Sequence, residues 1–490
     1  MKPKLILGLD IGTSGVRAAF YDVRGDLLPE TLTRNAWSSD TGNQEASEFD
    51  AEIALKQVIK TIDEVLRNPA VRDGEIEYVA SCAFWHSLVG VDRNGKPTTK
   101  VLSWSYTRGG EYAAVLKKRF DEGEIHDRTG AHFHSSYWPA KLLCIRREDP
   151  QAFARTSLWL SFSDLVALRL FGVAATSVSM ASGTGIFNIR TCVWDAELLR
   201  FVGIKSGNLP LVADGTYTFP LVDKYRKRWP RLRSAAWFPA IGDGAANNIG
   251  SGCTKRSQAA LMIGTSGAMR VAFEDDPPAE VPGGLWCYRI DRRRVIIGGA
   301  LSDGGNLYAL LKQKLGIDIP DDQIGKEIAR RGAGAHGLAV LPFFHGERST
   351  GYNEGAAGSI IGLNPAHDAI DILQAAMEAV AYRFAEIFDR IRKIAPVRKI
   401  FASGGAIEAS PVWTQIIADV LGKDLDVFRS EEASMRGTVL LALETTGRIK
   451  KIEDAPAPAS TIFASDRSRK VFYETARRRQ QKLYKLVIDQ

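Results

Sequence analysis

Cysteine is scarce in this chain. Only Cys82, Cys144, Cys192, Cys253 and Cys287 occur, and no two form a C-x-x-C pair or a zinc-binding spacing. That excludes a disulfide framework and a Cys-ligated zinc site by motif, and it suits a reducing compartment. No apolar run reaches membrane-spanning length, so no transmembrane helix is expected. The opening MKPKLILGLD has two lysines and a short apolar run. Asp10 interrupts that run and no small-residue cleavage site follows, so it does not read as a signal peptide. The expected location is the cytoplasm. There is no G-x-x-x-x-G-K-[ST] segment, which excludes a P-loop by motif. One G-x-G-x-x-G match, GAGAHG at Gly332–Gly337, follows a helical pattern and precedes the strand-like LAVLPFF. A dinucleotide fingerprint needs strand first and helix second, so this match is rejected.

What is present is an ordinary globular composition, 45% hydrophobic and 25% charged, in 490 residues. That length exceeds one core and implies two or more domains. A net charge of +7 would suit an anionic ligand or nucleic acid, but over so much surface it reads as solubility. The basic tail RKVFYETARRRQQKLYKL reads as a docked helix with a solvated face rather than an RNA-binding segment.

The most informative feature is a repetition. Ile11–Gly15 spells IGTSG, and Ile263–Gly267 spells it again half the chain away, each copy followed by an Arg and then Ala-Phe. One echo at such an offset indicates a doubled domain, not a solenoid. KLILGLD and VRAAFYD read as strands around the first copy, and AALMIG and AMRVAFED repeat the hairpin around the second. LWCYRID and RVIIGGAL add two strands about the charged turn Asp291–Arg294. AEIALKQVIKTIDEVLRN and IDILQAAMEAVAYRFAEIFDRI carry helical spacing. Two α/β domains of related build follow. Their boundary is expected in the Gly/Ala/Asn-rich FPAIGDGAANNIGSGCT, dividing the chain into residues 1–246 and 247–490.

A Gly-Thr-Ser-Gly turn lets the backbone approach a ligand closely, and its free N–H groups with flanking hydroxyls make a concave anion site. One copy reads equally as a plain hairpin turn. Two copies at equivalent places point to a pair of phosphate-gripping hairpins facing each other across a cleft. Asp10 precedes the first turn and Met262 the second, so only the first can hold a hydrated divalent cation.

The segments D-I-G-T-S-x-x-R at Asp10, G-D-G-A-A-N around Asp243, F-A-S-G-G-A at Phe401 and the following S-P-V-W-T-Q-I-I-A-D-V-L-G resemble the FGGY family of carbohydrate kinases. The resemblance covers nearly the whole chain and implies two duplicated ribonuclease-H-like (actin-like ATPase) α/β domains with a deep interdomain cleft. It implies ATP and Mg²⁺ as cofactors and a small sugar or sugar acid as partner, without nucleic acid or membrane, and it leaves a homodimer open. Asp243 matches the family's general base; on sequence alone it reads also as a helix cap. Chemistry asks there for a carboxylate able to take the proton of an attacking hydroxyl. Gly264, Thr265 and Ser266 would contact the β- and γ-phosphates, and Gly12, Thr13 and Ser14 the γ-phosphate from the other side. Asp10 and Asp243 would serve the metal. Gly404 and Gly405 match the adenosine-site loop, and Gly304 reads either as part of that site or as a turn. Arg17 and Arg270 read equally as phosphate neutralisers and as solvent-facing ion pairs.

On the substrate side the resemblance assigns Trp85 and His86, then Trp104, Tyr106 and Arg108 in WSYTR. TGAHFHSSYWPAKL, HSLVGVD and LWCYRID resemble the gluconate kinase branch. His86, His134, Ser135, Ser136, Tyr137 and Lys141 would bind a carboxylate by charge-assisted hydrogen bonds; singly, His134 and Tyr137 read as well as packing residues. Tyr106 stands where the family usually has an acid. The expected activity is ATP-dependent phosphorylation of a primary hydroxyl of gluconate, with xylulose, ribulose or another polyol as alternative substrates. An actin- or Hsp70-like ATPase switch is the alternative from another class.

Overall fold

The computed structural model describes residues 2–37, 48–428, 432–456 and 458–488. The apolar run after Lys4 forms the central strand β1 (Lys4–Ile11), buried from Leu5 onward. β2 (Gly15–Tyr21) returns antiparallel and β3 (Thr33–Ala36) adds an edge. Helix α1 (Ala51–Leu66) starts at Asp50, whose side chain accepts from the Glu52 and Ile53 amides, and buries Ala54, Leu55, Val58, Ile62 and Val65. β4 (Glu75–Ala83) runs parallel to β1 on its far side. A helical insertion carrying α2 (Trp138–Glu148) follows. β5 (Ala236–Trp237) and β6 (Ile241–Gly242) then pair parallel with β4, and α3 (Asp243–Gly250) leaves directly from β6.

The second half repeats this plan. β7 (Gln258–Ile263) and β8 (Gly267–Glu274) form the second hairpin, and β9 (Trp286–Arg289) and β10 (Arg294–Leu301) extend it antiparallel. After the long buried helix α4 (Ala369–Ile391), β11 (Lys399–Ser403) and β12 (Leu425–Val427) run parallel to β7. The order β10-β8-β7-β11-β12 thus reproduces β3-β2-β1-β4-β5, direction for direction, with β9 and β13 (Thr461–Phe463) added at the edges. Each sheet has its own apolar core.

Helix α5 (Ala433–Thr445) belongs to the second half by sequence yet packs on the first sheet. Its Met435, Val439, Ala442 and Leu443 join Ile6, Ala19, Tyr21 and Ala80 in one apolar cluster. It crosses α3 backbone to backbone. A Cβ on Gly250 would lie 1.9 Å from the Ala433 carbonyl oxygen, and one on Gly437 would lie 1.8 Å from that of Ala246. The Gly/Ala/Asn-rich stretch read as a boundary is therefore an ordered strand and helix of the first sheet, clasped by a helix from the other half. The tail forms a helix, Lys470–Val487, that buries Tyr473, Ala476, Gln480 and Leu483.

Candidate active site

β1, β4 and β6 all end on one edge of the first sheet, at Ile11, Ala83 and Gly242. In the second sheet β7, β10 and β11 end together at Ile263, Leu301 and Ser403. Ligands of open α/β sheets bind outside such carboxyl ends. A cavity of about 590 Å³ lies there, lined by both halves, by Thr13, Ser14, Gly264, Thr265 and Ser266 of the hairpins and by Asp243. Trp85, His86, Trp104, Ser136 and Tyr137 line the same cavity.

The two turns close differently. The Gly12 amide donates to the Gly15 carbonyl at 2.9 Å, and the Gly264 amide donates to that of Ser266 at 3.0 Å. Among the described residues, the amides of Thr13, Ser14, Thr265 and Ser266 donate to no protein acceptor. Unused N–H groups on glycine turns are the donor set that phosphate oxygens require. Two further glycine pairs press on the second turn. The Gly305 amide donates to the Gly264 carbonyl at 2.8 Å, and a Cβ on Gly404 would lie 2.5 Å from the Ile263 carbonyl oxygen, while beside Gly405 a Cβ would meet open space.

Asp243 occupies the first turn of α3, whose N-cap is Gly242. Its carboxylate accepts from the adjacent Gly244 amide at 2.7 Å. Its glycine neighbours have a steric cause: the Trp85 indole lies over them, so a Cβ on Gly242 would fall 1.8 Å from the ring and one on Gly244 2.7 Å. Burial first, then the charge of Asp10, push the Asp243 carboxyl up to about 6, against the pull of Arg270. Asp10 is buried, pairs with Arg17 at 2.7 Å and accepts from the Cys82 thiol at 3.4 Å. Arg17 also reaches Glu432 at 3.2 Å. No group of three His, Cys, Asp or Glu among the described residues could enclose a metal ion. Asp10 and Asp243, close enough for their charges to act on each other, would fit a hydrated Mg²⁺ beside the first glycine turn.

His86 has a left-handed backbone, with φ of 69°. Its Nδ1–H donates to the Gly183 carbonyl at 2.5 Å, since a carbonyl only accepts, and this leaves Nε2 as an acceptor. Burial keeps the ring neutral, its pKa pushed down to about 3. Lys141 does not line the cavity. It is fully buried, and Nζ donates to the carbonyls of His86 at 2.6 Å and Ser103 at 2.7 Å, so it holds the two segments that flank the pocket.

Four further substrate-side candidates, Tyr106, Arg108, His134 and Ser135, also lie outside the cavity. Tyr106 is buried with its hydroxyl 3.5 Å from the Cys144 sulfur. Arg108 is exposed and paired with Glu148. His134 lines a neighbouring polar cavity and touches the main one through Ser136, its Nδ1 lying 2.9 Å from that hydroxyl. Ser135 is likewise turned away, donating through its hydroxyl to Glu354 at 2.9 Å.

Four residues of the second half, not singled out from the sequence, complete the pocket: Trp286, Tyr288, Arg348 and Tyr352. Trp286 and Tyr288 stack at 4.4 Å on one face of β9, and Trp85 packs edge-on against Tyr288 at 5.1 Å. The Tyr137 and Tyr288 hydroxyls lie 2.6 Å apart across the two halves. Alternate aromatics in the strand-like LWCYRID were the available signal, because residues two apart share a face.

The N-terminal domain of the FGGY family of carbohydrate kinases matches residues 5–227, and its C-terminal domain matches residues 259–445. A gluconokinase of Bacillus licheniformis is 27% identical over 464 residues, covering 91% of this chain and 89% of that protein. A xylulose kinase of Bacillus subtilis is 23% identical, covering 92% and 90%. The crystal structure of gluconate kinase from Lactobacillus acidophilus superposes with a TM-score of 0.88 at 23% identity, over 99% of this chain and 98% of that one. With both domain matches in order, this chain belongs to the FGGY family of carbohydrate kinases, phosphotransferases that act on an alcohol group.

Proposed function

We propose that the protein transfers the γ-phosphoryl group of ATP to a primary hydroxyl of a sugar acid, with gluconate as the acceptor. The observation that carries this reading is the Asp243 carboxylate, which opens into the cavity between the paired glycine turns and the aromatic pocket. With a pKa near 6 it is ionised at neutral pH yet basic enough to accept a proton. Asp243 takes the proton of the acceptor hydroxyl as that oxygen attacks the γ-phosphorus. The amides of Thr13, Ser14, Thr265 and Ser266 hold the phosphate oxygens, and Gly304, Gly404 and Gly405 border the nucleoside. Asp10 and Asp243 would hold a Mg²⁺ ion, which would supply charge neutralisation to the phosphates. His86, Trp104, Ser136 and Tyr137 orient the acceptor, and closure of the two halves excludes water that would otherwise consume ATP. The gluconokinase similarity supports gluconate over xylulose, whose kinases are less similar in sequence.

The test is ADP release with Mg-ATP against gluconate, other aldonates, xylulose, ribulose and glycerol, in the wild type and in Asp243→Asn. Gluconate should give the strongest response. The variant should lose roughly two to four orders of magnitude in turnover with ATP binding kept. Full turnover in a folded variant would remove Asp243 from the chemistry. ADP release indifferent to every acceptor would favour an ATPase switch.

A further inference from the structure

Two arginines of the second half stand in the cavity wall without an ion pair among the described residues. Four arginines of the described residues are buried. Three are answered by acids: Arg289 by Asp276, Arg294 by Asp291 and Glu444, Arg383 by Glu347 and Glu386. The fourth, Arg270 on β8, forms no ion pair among the described residues, and its Nη1 is buried without a hydrogen-bond partner. Two glycines make its seat. A Cβ on Gly244 would lie 3.2 Å from Arg270 Nε, and one on Gly298 would lie 3.0 Å from its Cγ.

Arg348, in the loop that follows the short strand Ala339–Leu341, enters the same cavity. Its guanidinium stacks over the Trp104 ring at 4.5 Å and donates through Nη2 to the Leu301 carbonyl at 2.9 Å. Its Nε is buried and unpartnered, and it too lacks an ion pair among the described residues. The tyrosines at this end, Tyr137, Tyr288 and Tyr352, are neutral, as burial raises each hydroxyl well above its usual range. Asp243 is the acid on this wall, against two unpaired cations. A cation withdrawn from water is stable only when an opposite charge meets it. An anionic ligand group would supply that charge, and an arginine edge suits a carboxylate or a phosphate. Arg348 stacks on Trp104, which lines the cavity with His86, Ser136 and Tyr137, and this company favours the acceptor's carboxylate as the source.

We propose that Arg348 and Arg270 form the anion-recognising wall that binds the carboxylate of the acceptor and selects sugar acids over neutral polyols. The inference rests on the sugar-acid reading above. Its test compares gluconate with glucitol, which has the same carbon chain without the carboxylate. Arg348→Met should raise the gluconate KM about 10- to 100-fold, the worth of a charged hydrogen bond, and leave glucitol binding within about threefold. Arg348→Lys should recover part of the loss. Arg270→Met should weaken gluconate similarly and also lower kcat, because Arg270 stands beside Asp243. Retained stabilisation by Mg-ATP in thermal melts shows that each variant is folded. If both variants and their combination keep the gluconate KM, or raise the ATP KM instead, the arginines do not read the carboxylate and this inference alone falls. A wild type that ignores every aldonate would overturn the sugar-acid reading and this inference with it.

Discussion

The two glycine turns share a backbone plan and divide its chemistry. In the first, Asp10 faces Arg17 across the hairpin and pairs with it at 2.7 Å. In the second, the corresponding pair is Met262 and Ala268, both apolar. The second turn is one residue tighter, and its arginine comes one residue later. The two shifts add, so Arg270 sits opposite Ala260, two places further from the turn but on the same face. Arg17 is thereby spent on Asp10 and Glu432, while Arg270 is left to face the cavity beside Asp243. Duplication supplied the glycine turn twice; small changes around it gave one side a carboxylate paired with its arginine and left the other an arginine in no ion pair among the described residues.

The strongest way to break this comparison is to exchange the residues before the turns. Asp10→Asn should lower kcat by about 100- to 1000-fold, the usual effect of losing one group that stabilises transferring charge. Met262→Leu should leave it within about twofold. Met262→Asp, added to Asp10→Asn, should restore nothing, since its neighbour across the hairpin is Ala268 rather than an arginine. Steady-state ADP release reads all three. Rescue by Met262→Asp would show that the halves are interchangeable at this position.

Much of this was legible in the sequence. The alternating and continuous apolar runs fix the hairpins, and the repeated IGTSG locates both glycine turns before any contact is known. What escaped is what one half contributes to the other. Arg348 and Tyr352 lie in a loop without periodicity, and Trp286 and Tyr288 read simply as strand residues of the second sheet. Their role exists only once the halves face each other. The same holds for α5, whose apolar face gives no sign that it returns to the first sheet. The family resemblance of WSYTR assigns Tyr106 and Arg108 to the pocket together with Trp104. In the structure Tyr106 turns inward to Cys144, and Arg108 outward to Glu148.

A second difference between the halves is acid response at their joint. His126, in the first half, donates through Nε2–H to the Leu285 carbonyl of the second at 2.7 Å and stacks on His132 at 3.9 Å. Burial first, then the charge of His132, push its pKa down to about 3, although the Leu285 carbonyl and Glu122 favour the charged form. An unfolded histidine takes its proton near 6.5, so between that pH and about 3 the unfolded chain binds the extra proton, and stability falls as pH falls. His126→Asn should therefore flatten the acid loss between about pH 6 and pH 4 by about 1.4 kcal/mol per pH unit. Denaturant unfolding at several pH values measures it. Identical slopes in variant and wild type would mean that His126 is protonated in the folded protein.

The smallest expected effect compares the glycines that close the turns. A Cβ on Gly15 would lie 2.3 Å from the Asn35 carbonyl oxygen and 2.8 Å from the Ala36 Cα, both backbone atoms of β3. A Cβ on Gly267 would lie 2.6 Å from the Phe384 Cζ, the far end of a ring on α4. Backbone in a hydrogen-bonded strand yields less readily than a ring that tilts. Both alanine variants overpack the site and should cost about 1–3 kcal/mol, with Gly15→Ala at the upper end and Gly267→Ala at the lower. Thermal melts with and without Mg-ATP separate this loss from damage to the phosphate turn. If Gly267→Ala proves the costlier, the ring is locked by the core around α4, and the second hairpin, not the first, is the more rigid of the two.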